Sequence, residues 1–207
     1  MLHDEEPVRR PGLRAVLFDA CGVLLHRSEV RDWLTGTPMV EHELNAAIWA
    51  AIGDSAVTVP SAEEVSGRLA DALGVPRRRA TAVLDGFLND WQPDHQLVEA
   101  ILRLRSRYRI GMVTNAAAGA RFCRAYQFAR YGLDATFDLV MISDIEGIGK
   151  PDPGIYRLAA ERLNVTPAEC LFVDDKIENV RGALDVGMAA IHHTGTARTI
   201  ARLGELL

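Results

Sequence analysis

The sequence predicts an α/β fold: a doubly wound, parallel, five-stranded sheet with a small α-helical cap inserted after strand one. Three observations lead there. Five short apolar runs are continuous, not alternating, as strands are when helices cover both faces of their sheet. Helix-like segments separate the later runs, giving repeated strand–helix–strand units. Residues 19–109 lie between the first two runs, far more than one crossover needs.

The predicted strands are Ala15–Phe18, Ile110–Thr114, Leu139–Ile142, Cys170–Val173 and Ala189–His192. Within the long insert, Val40–Ile52, Ser61–Leu73 and Arg77–Asn89 read as helices. Ser61 and Glu64 form a capping-box pattern, and Leu73-Gly74-Val75-Pro76 is a stop signal. A further helix is expected over Gln96–Ser106, back in the core. The later helices, Ala118–Tyr131, Gly154–Leu163 and Ile177–Val186, end at Gly132, Asn164 and Gly187, residues that readily take the left-handed turn closing a helix. The domain reading is therefore a core of residues 1–27 and 92–207 and a cap of residues 28–91. Trp33, Trp49 and Trp91 fall in the insert, either packing the cap and its hinge or lining a substrate pocket.

The chain has 207 residues, 48% hydrophobic and 25% charged, with a net charge of −5. That is enough for one sizeable core plus an insert, and it gives nucleic-acid binding no electrostatic support. The basic run Arg77-Arg78-Arg79 reads as a solvated helix face. Cys21, Cys123 and Cys170 are odd in number and lack a CxxC spacing, which points to free thiols in a reducing compartment. The N-terminus lacks a signal-peptide apolar core, and no apolar run reaches membrane-spanning length. A cytoplasmic protein without a membrane or nucleic-acid partner is expected, as a monomer or homodimer.

In an open parallel sheet, ligands bind beyond the C-terminal ends of the strands. Four such positions carry suggestive residues: Asp19 after the first strand, Thr114-Asn115 after the second, Lys150 in the loop after the third, and Asp174-Asp175 after the fourth. Each has a plain structural reading too. Thr114-Asn115 would make an ordinary turn, Lys150 a surface lysine, and Asp174-Asp175 a helix cap. Together, in this order and with an insert after the first strand, they make a pattern.

That pattern resembles the four motifs of the haloacid dehalogenase superfamily, in the subclass with its cap between motifs one and two. Ile148-Gly-Lys150-Pro151-Asp152-Pro153 and Phe172-Val-Asp174-Asp175-Lys-Ile-Glu-Asn179 carry the resemblance most specifically. It is similar above all to the phosphatase domain of soluble epoxide hydrolases and to bacterial sugar-phosphate phosphatases. The resemblance implies a Mg²⁺-dependent hydrolase of a small phosphorylated metabolite. Asp19 would be the nucleophile, forming an aspartyl-phosphate. Mg²⁺ would take Asp19, the backbone carbonyl of Cys21 and Asp175, with Asp174 close by. The Thr114 hydroxyl and the Asn115 N–H would hold phosphate oxygens, and Lys150 would neutralise the transferring group. Gly22 permits the turn beside the ligand.

In one place the chain departs from the family pattern. The first motif is usually Asp-x-Asp-Gly, whereas here it is Asp19-Ala20-Cys21-Gly22. The replaced carboxylate would protonate the leaving group and later activate water, work worth about 10²–10⁴-fold. A thiol, with an ordinary pKa of about 8.5, is a poor substitute at neutral pH. Two alternatives stay open beside the phosphatase: a degenerate phosphatase serving as a phospho-ligand or protein binding module, and another reaction through Asp19, such as a dehalogenase-type attack on carbon. Schiff-base chemistry, which the superfamily also uses, does not stay open. Asp174-Asp175 argues against dehalogenation in this family. The cap has no lysine, which leaves the Schiff-base route without its residue. His26 either stands in as the acid or contacts the cap boundary. His192 and His193 are adjacent strand residues that point to opposite faces, which argues against a shared metal. Lys176 reads as solvent-facing.

Overall fold

The computed structural model describes residues 12–27, 39–52, 61–115 and 134–207. The predicted helix Ala118–Tyr131, together with Trp33 and Cys123, lies outside them. Five parallel strands form the main sheet: β1 (Ala15–Phe18), β4 (Arg109–Thr114), β5 (Leu139–Ile142), β6 (Cys170–Asp174) and β7 (Ala189–His192). Their order is β5-β4-β1-β6-β7. The chain starts in the centre, winds outward one way and then the other, so β1 lies at the switch point where open α/β sheets bind ligands.

Alternation along these strands feeds two separate cores. Val16, Phe18, Ile110, Met112, Leu171 and Val173 face a cluster completed by Leu97 and Ile101 of α4 (His95–Leu104) and by Leu203 and Leu206 of the last helix (Thr196–Leu206). Leu17, Val113, Met141 and Phe172 face the opposite cluster, completed by Ile155, Tyr156 and Ala159 of the helix Pro153–Arg162 and by Ala183 of the helix Ile177–Asp185. Burial on both faces explains why the sequence shows runs without alternation. The Thr196–Leu206 helix and the single turn Ser143–Glu146 extend the predicted elements.

Among its described residues the insert contains three helices, α1 (Glu41–Ile52), α2 (Ala62–Leu73) and α3 (Arg77–Asn89). They share a third apolar cluster of their own, built on Leu44, Ile48, Val65, Leu69, Val83, Leu84 and Phe87. Ser61 and Glu64 form the reciprocal capping box, and Gly74 ends α2 in the left-handed conformation at φ 62°.

An element that the sequence reading lacks joins insert to core. Strands β2 (Leu25–Arg27) and β3 (Trp91–Pro93) pair antiparallel, Arg27 opposite Trp91 and Leu25 opposite Pro93. The two chain crossings are thus one ribbon. Arg27 fastens it, its guanidinium lying 3.8 Å from the Phe87 ring centroid and 4.9 Å from that of Trp91, with Asp90 at 3.6 Å. Trp91 is buried in the ribbon, whereas Trp49 packs edge-on to Phe87 and stays 47% exposed.

Candidate active site

The site grows from strand ends. Asp19 immediately follows β1, and its N–H donates to the Val173 carbonyl of β6 at 2.9 Å, extending the sheet by one rung. Thr114 is the last residue of β4 and Asp174 the last of β6; both are buried. Parallel pairing of β1 with β4 and β6 brings these ends to one edge of the sheet.

Lys150 reaches the same place from the loop after β5. It is not a surface lysine: it is only 4% exposed. Its ammonium donates to Asp19 Oδ1 at 2.5 Å and to Asp174 Oδ2 at 2.7 Å. A buried charge of this kind persists only when paired and hydrogen-bonded. Burial alone would depress the Lys150 pKa, but Asp19 and Asp174 outweigh it and hold the ammonium above its ordinary range. Burial raises Asp19; Lys150 opposes that, Asp174 and Asp175 reinforce it, and the result is a carboxyl pushed up to about 6.

The neighbouring carboxylates have different surroundings. Asp174 is fully buried, and both its oxygens are taken by protein donors. Oδ1 accepts from the Lys176 N–H at 2.8 Å and from Asn179 Nδ2 at 3.0 Å, and Oδ2 accepts from Lys150. It therefore braces its own loop and does not cap the next helix, whose N-cap position is Lys176. Asp175 has a buried Oδ1 with no hydrogen-bond partner among the described residues. Burial, with Asp174 beside it, raises its pKa.

Oxygens of Asp19, Asp174 and Asp175 lie within 4.8 Å of one another. Hard carboxylate donors and an orphaned buried oxygen fit a Mg²⁺ ion, which takes oxygen ligands from one or two carboxylates. Because its oxygens are already engaged, Asp174 fits a bracing role and Asp175 that of ligand. Gly22 sits tightly against this group: its φ is +86°, and a Cβ there would lie 2.8 Å from Asp175 Cγ. A side chain would both strain the backbone and displace the carboxylate.

Cys21 occupies the turn that folds back from β1, half-buried and not in a disulfide. Gly22 N–H donates to Leu25 O, and Leu25 N–H to Ala20 O, which ties the turn to β2. His26 turns to Asp94, the N-cap residue of α4. Its Nε2 lies 3.1 Å from Asp94 Oδ2, and its ring stacks 6.1 Å from that of His193. Asp94 also accepts from Thr196 Oγ1 and from the Leu97 N–H. His192 and His193 do diverge. His192 Nε2 meets the Asp175 carbonyl at 3.0 Å, while His193 is buried against Thr199 Oγ1 at 2.9 Å. Lys176 is exposed.

Two side chains act in ways the sequence does not reveal. Asn179, buried at the end of the Phe172–Asn179 motif, holds Asp174. The Asn115 carboxamide, distinct from its backbone N–H, grips the Lys150 backbone at 2.7 and 2.8 Å. Spacing gives no side-chain direction. The one available signal is that each is an amide close in sequence to another site residue, Asn115 beside Thr114 and Asn179 one turn after Asp175.

The model of the haloacid dehalogenase-like hydrolase family matches residues 13–187. A phosphatase of Mycobacterium tuberculosis is 31% identical over 215 residues, spanning 94% of this chain and 97% of that protein. A sesquiterpene phosphatase of Aspergillus oryzae is 26% identical over 195 residues, spanning 94% and 96%. Among solved structures, a HAD family enzyme of Bacteroides thetaiotaomicron, in complex with magnesium and inorganic phosphate, superposes with a TM-score of 0.67 at 16% identity, covering 87% of this chain and 93% of that one. An L-2-haloacid dehalogenase of Xanthobacter autotrophicus with chloropropionic acid covalently bound gives 0.66 at 24% identity, covering 86% and 76%. At such identities the structural likenesses establish the fold.

Proposed function

The chain belongs to the haloacid dehalogenase-like hydrolases, and from that premise we propose that it is a Mg²⁺-dependent phosphoric monoester hydrolase of a small phosphorylated metabolite. The carrying observation is the arrangement of Lys150 between Asp19 and Asp174, beside the orphaned oxygen of Asp175. Phosphatases among the relatives, and a structural neighbour holding magnesium and phosphate, support the same reading.

In this reading an Asp19 oxygen attacks phosphorus as the ester P–O bond breaks, and the leaving oxygen then takes up a proton. Water next attacks phosphorus, the bond to Asp19 breaks, and the carboxylate is regenerated. Lys150 offsets the charge brought together by carboxylate and phosphate. Thr114 and the Asn115 N–H hold phosphate oxygens. Asp19, the Cys21 carbonyl and Asp175 would hold Mg²⁺, which when bound supplies positive charge to the phosphoryl oxygens. Residues 28–91 form the cap that closes over the substrate and sets its identity, and the β2–β3 ribbon is the hinge.

Cys21 favours a second reading, a phospho-ligand binding module built on the same site, because no carboxylate stands where the general acid belongs. The two separate experimentally. The hydrolase reading expects Mg²⁺-dependent release of nitrophenol from nitrophenyl phosphate, lost in Asp19→Asn. Binding of a phosphate mimic without turnover of any ester would favour the module. Turnover unchanged in a folded Asp19→Asn protein would place the chemistry elsewhere.

A further inference from the structure

We infer that the side chain of Asn115 is a positioning residue: its carboxamide sets the backbone of Lys150 so that the ammonium is delivered between Asp19 and Asp174. This rests on the reading of Lys150 as a site residue and extends it to a group that itself touches neither substrate nor metal in that reading.

The geometry is a two-point clamp. Asn115 Oδ1 accepts from the Lys150 N–H at 2.8 Å, and Asn115 Nδ2 donates to the Lys150 carbonyl at 2.7 Å. A carboxamide has a donor and an acceptor side by side, so it satisfies both backbone groups of one residue at once. A single hydrogen bond would leave the Lys150 backbone free to rotate about it; two fix its orientation. The clamp bridges the loop after β4 to the loop after β5, 35 positions along the chain. Further out, the same lysine makes two more bonds through Nζ. Lys150 is thus held at both ends, and its long side chain loses the rotamer freedom that would otherwise blur where its charge falls. Neither aspartate, serine nor alanine offers a paired amide donor and acceptor.

The chain has two lysines, Lys150 and Lys176, and this allows a test that needs no substrate. Lys150 is buried and Lys176 exposed, so reductive methylation followed by mass spectrometry reads Lys150 against an internal reference. In wild type, Lys150 should label far more slowly than Lys176. Asn115→Ala should raise the Lys150-to-Lys176 labelling ratio by about tenfold, since two hydrogen bonds of ordinary strength are lost. Asn115→Asp, which keeps an acceptor for the Lys150 N–H and loses the donor, should fall between. The control is Asn164→Ala, a left-handed residue ending the Pro153–Arg162 helix at φ 51°. At temperatures chosen to equalise global stability it should leave the ratio at the wild-type value, because general loosening is not the cause. A ratio unchanged in both Asn115 variants, or raised equally by Asn164→Ala, would overturn the inference. Should Asn115→Ala not fold, the Asn115→Asp ratio alone decides. Because the readout involves no phosphate, it can fail while the hydrolase reading stands, and stand while that reading fails.

Discussion

The ends of β1 and β6 face each other across one strand spacing, yet they are equipped very differently. At the end of β6, Asp174 has every oxygen engaged and Asp175 keeps one buried oxygen without a hydrogen-bond partner among the described residues. In the proposed reading that end is a binding site in which one carboxylate braces and the other takes the ligand. At the end of β1, Asp19 is paired with Lys150, but the second position of the motif is a thiol. In the proposed reading, the binding and nucleophilic parts are thus assembled while the proton-transfer part is depleted. The turn at Ala20–Leu25 is held by backbone hydrogen bonds, which a thiol or a carboxylate at position 21 would leave in place.

The largest expected effect comes from removing the nucleophile. Asp19→Asn should lower turnover of any phosphate ester by on the order of 10⁴-fold or more, with an unchanged circular dichroism spectrum. Residual turnover within tenfold of wild type would show that Asp19 is not the nucleophile.

Next comes the division of labour at β6. Mg²⁺ with a phosphate mimic at about 100 times its Kd should stabilise the native state by about 2.7 kcal/mol, a rise in Tm of roughly 5–10 °C for a chain this size. Asp175→Asn should remove most of that rise while leaving the ligand-free Tm near wild type. Asp174→Asn should instead lower the ligand-free Tm, since it leaves the Lys150 charge half-paired in a buried site. The opposite pattern would exchange the two roles.

A pH dependence follows from Asp19. Its pKa is raised from 3.8 to about 6 on folding, chiefly by burial, so between these values the native state binds more protons than the unfolded one. Stability of the metal-free protein therefore falls as pH rises from about 4 to about 6 through this group. Asp19→Asn should flatten that slope in urea titrations. The same proton competes with a metal ion for the carboxylate, so Mg²⁺ affinity should weaken as pH drops below about 6. A Mg²⁺ affinity constant from pH 5 to 8 would contradict this. The smallest effect is expected for Asn179→Ala. Removing one neutral donor from a buried carboxylate should cost about 1–3 kcal/mol of stability, with a minor effect on Mg²⁺ binding.

How much of this was legible in the sequence follows from what each feature rests on. The five strands of the main sheet were readable to within a residue at each end, because burial on both faces leaves an unbroken apolar signature. The ribbon of Leu25–Arg27 and Trp91–Pro93 was not, since three-residue strands holding His, Arg and Pro show no periodicity. Asp19, Thr114, Lys150 and Asp174 could be placed at one edge because strand ends converge there. Their wiring could not: that Asp174 is saturated while Asp175 is not, or that Asn115 turns its amide to Lys150, depends on side-chain direction. The same limit applied to His26, for which only coordinates could choose between the site and the contact with Asp94.

In the proposed reading this site binds and attacks phosphate but lacks an efficient proton donor at Cys21. Steady-state rates on nitrophenyl phosphate and on a panel of sugar phosphates, for wild type and Cys21→Asp, test this. Wild type should show a steep dependence on the leaving group, with nitrophenyl phosphate far ahead. Cys21→Asp should raise turnover of alkyl phosphates by on the order of 10²-fold and change nitrophenyl phosphate much less. A wild type already fast on sugar phosphates, and slowed by Cys21→Asp, would contradict this reading and point to another acid in the site.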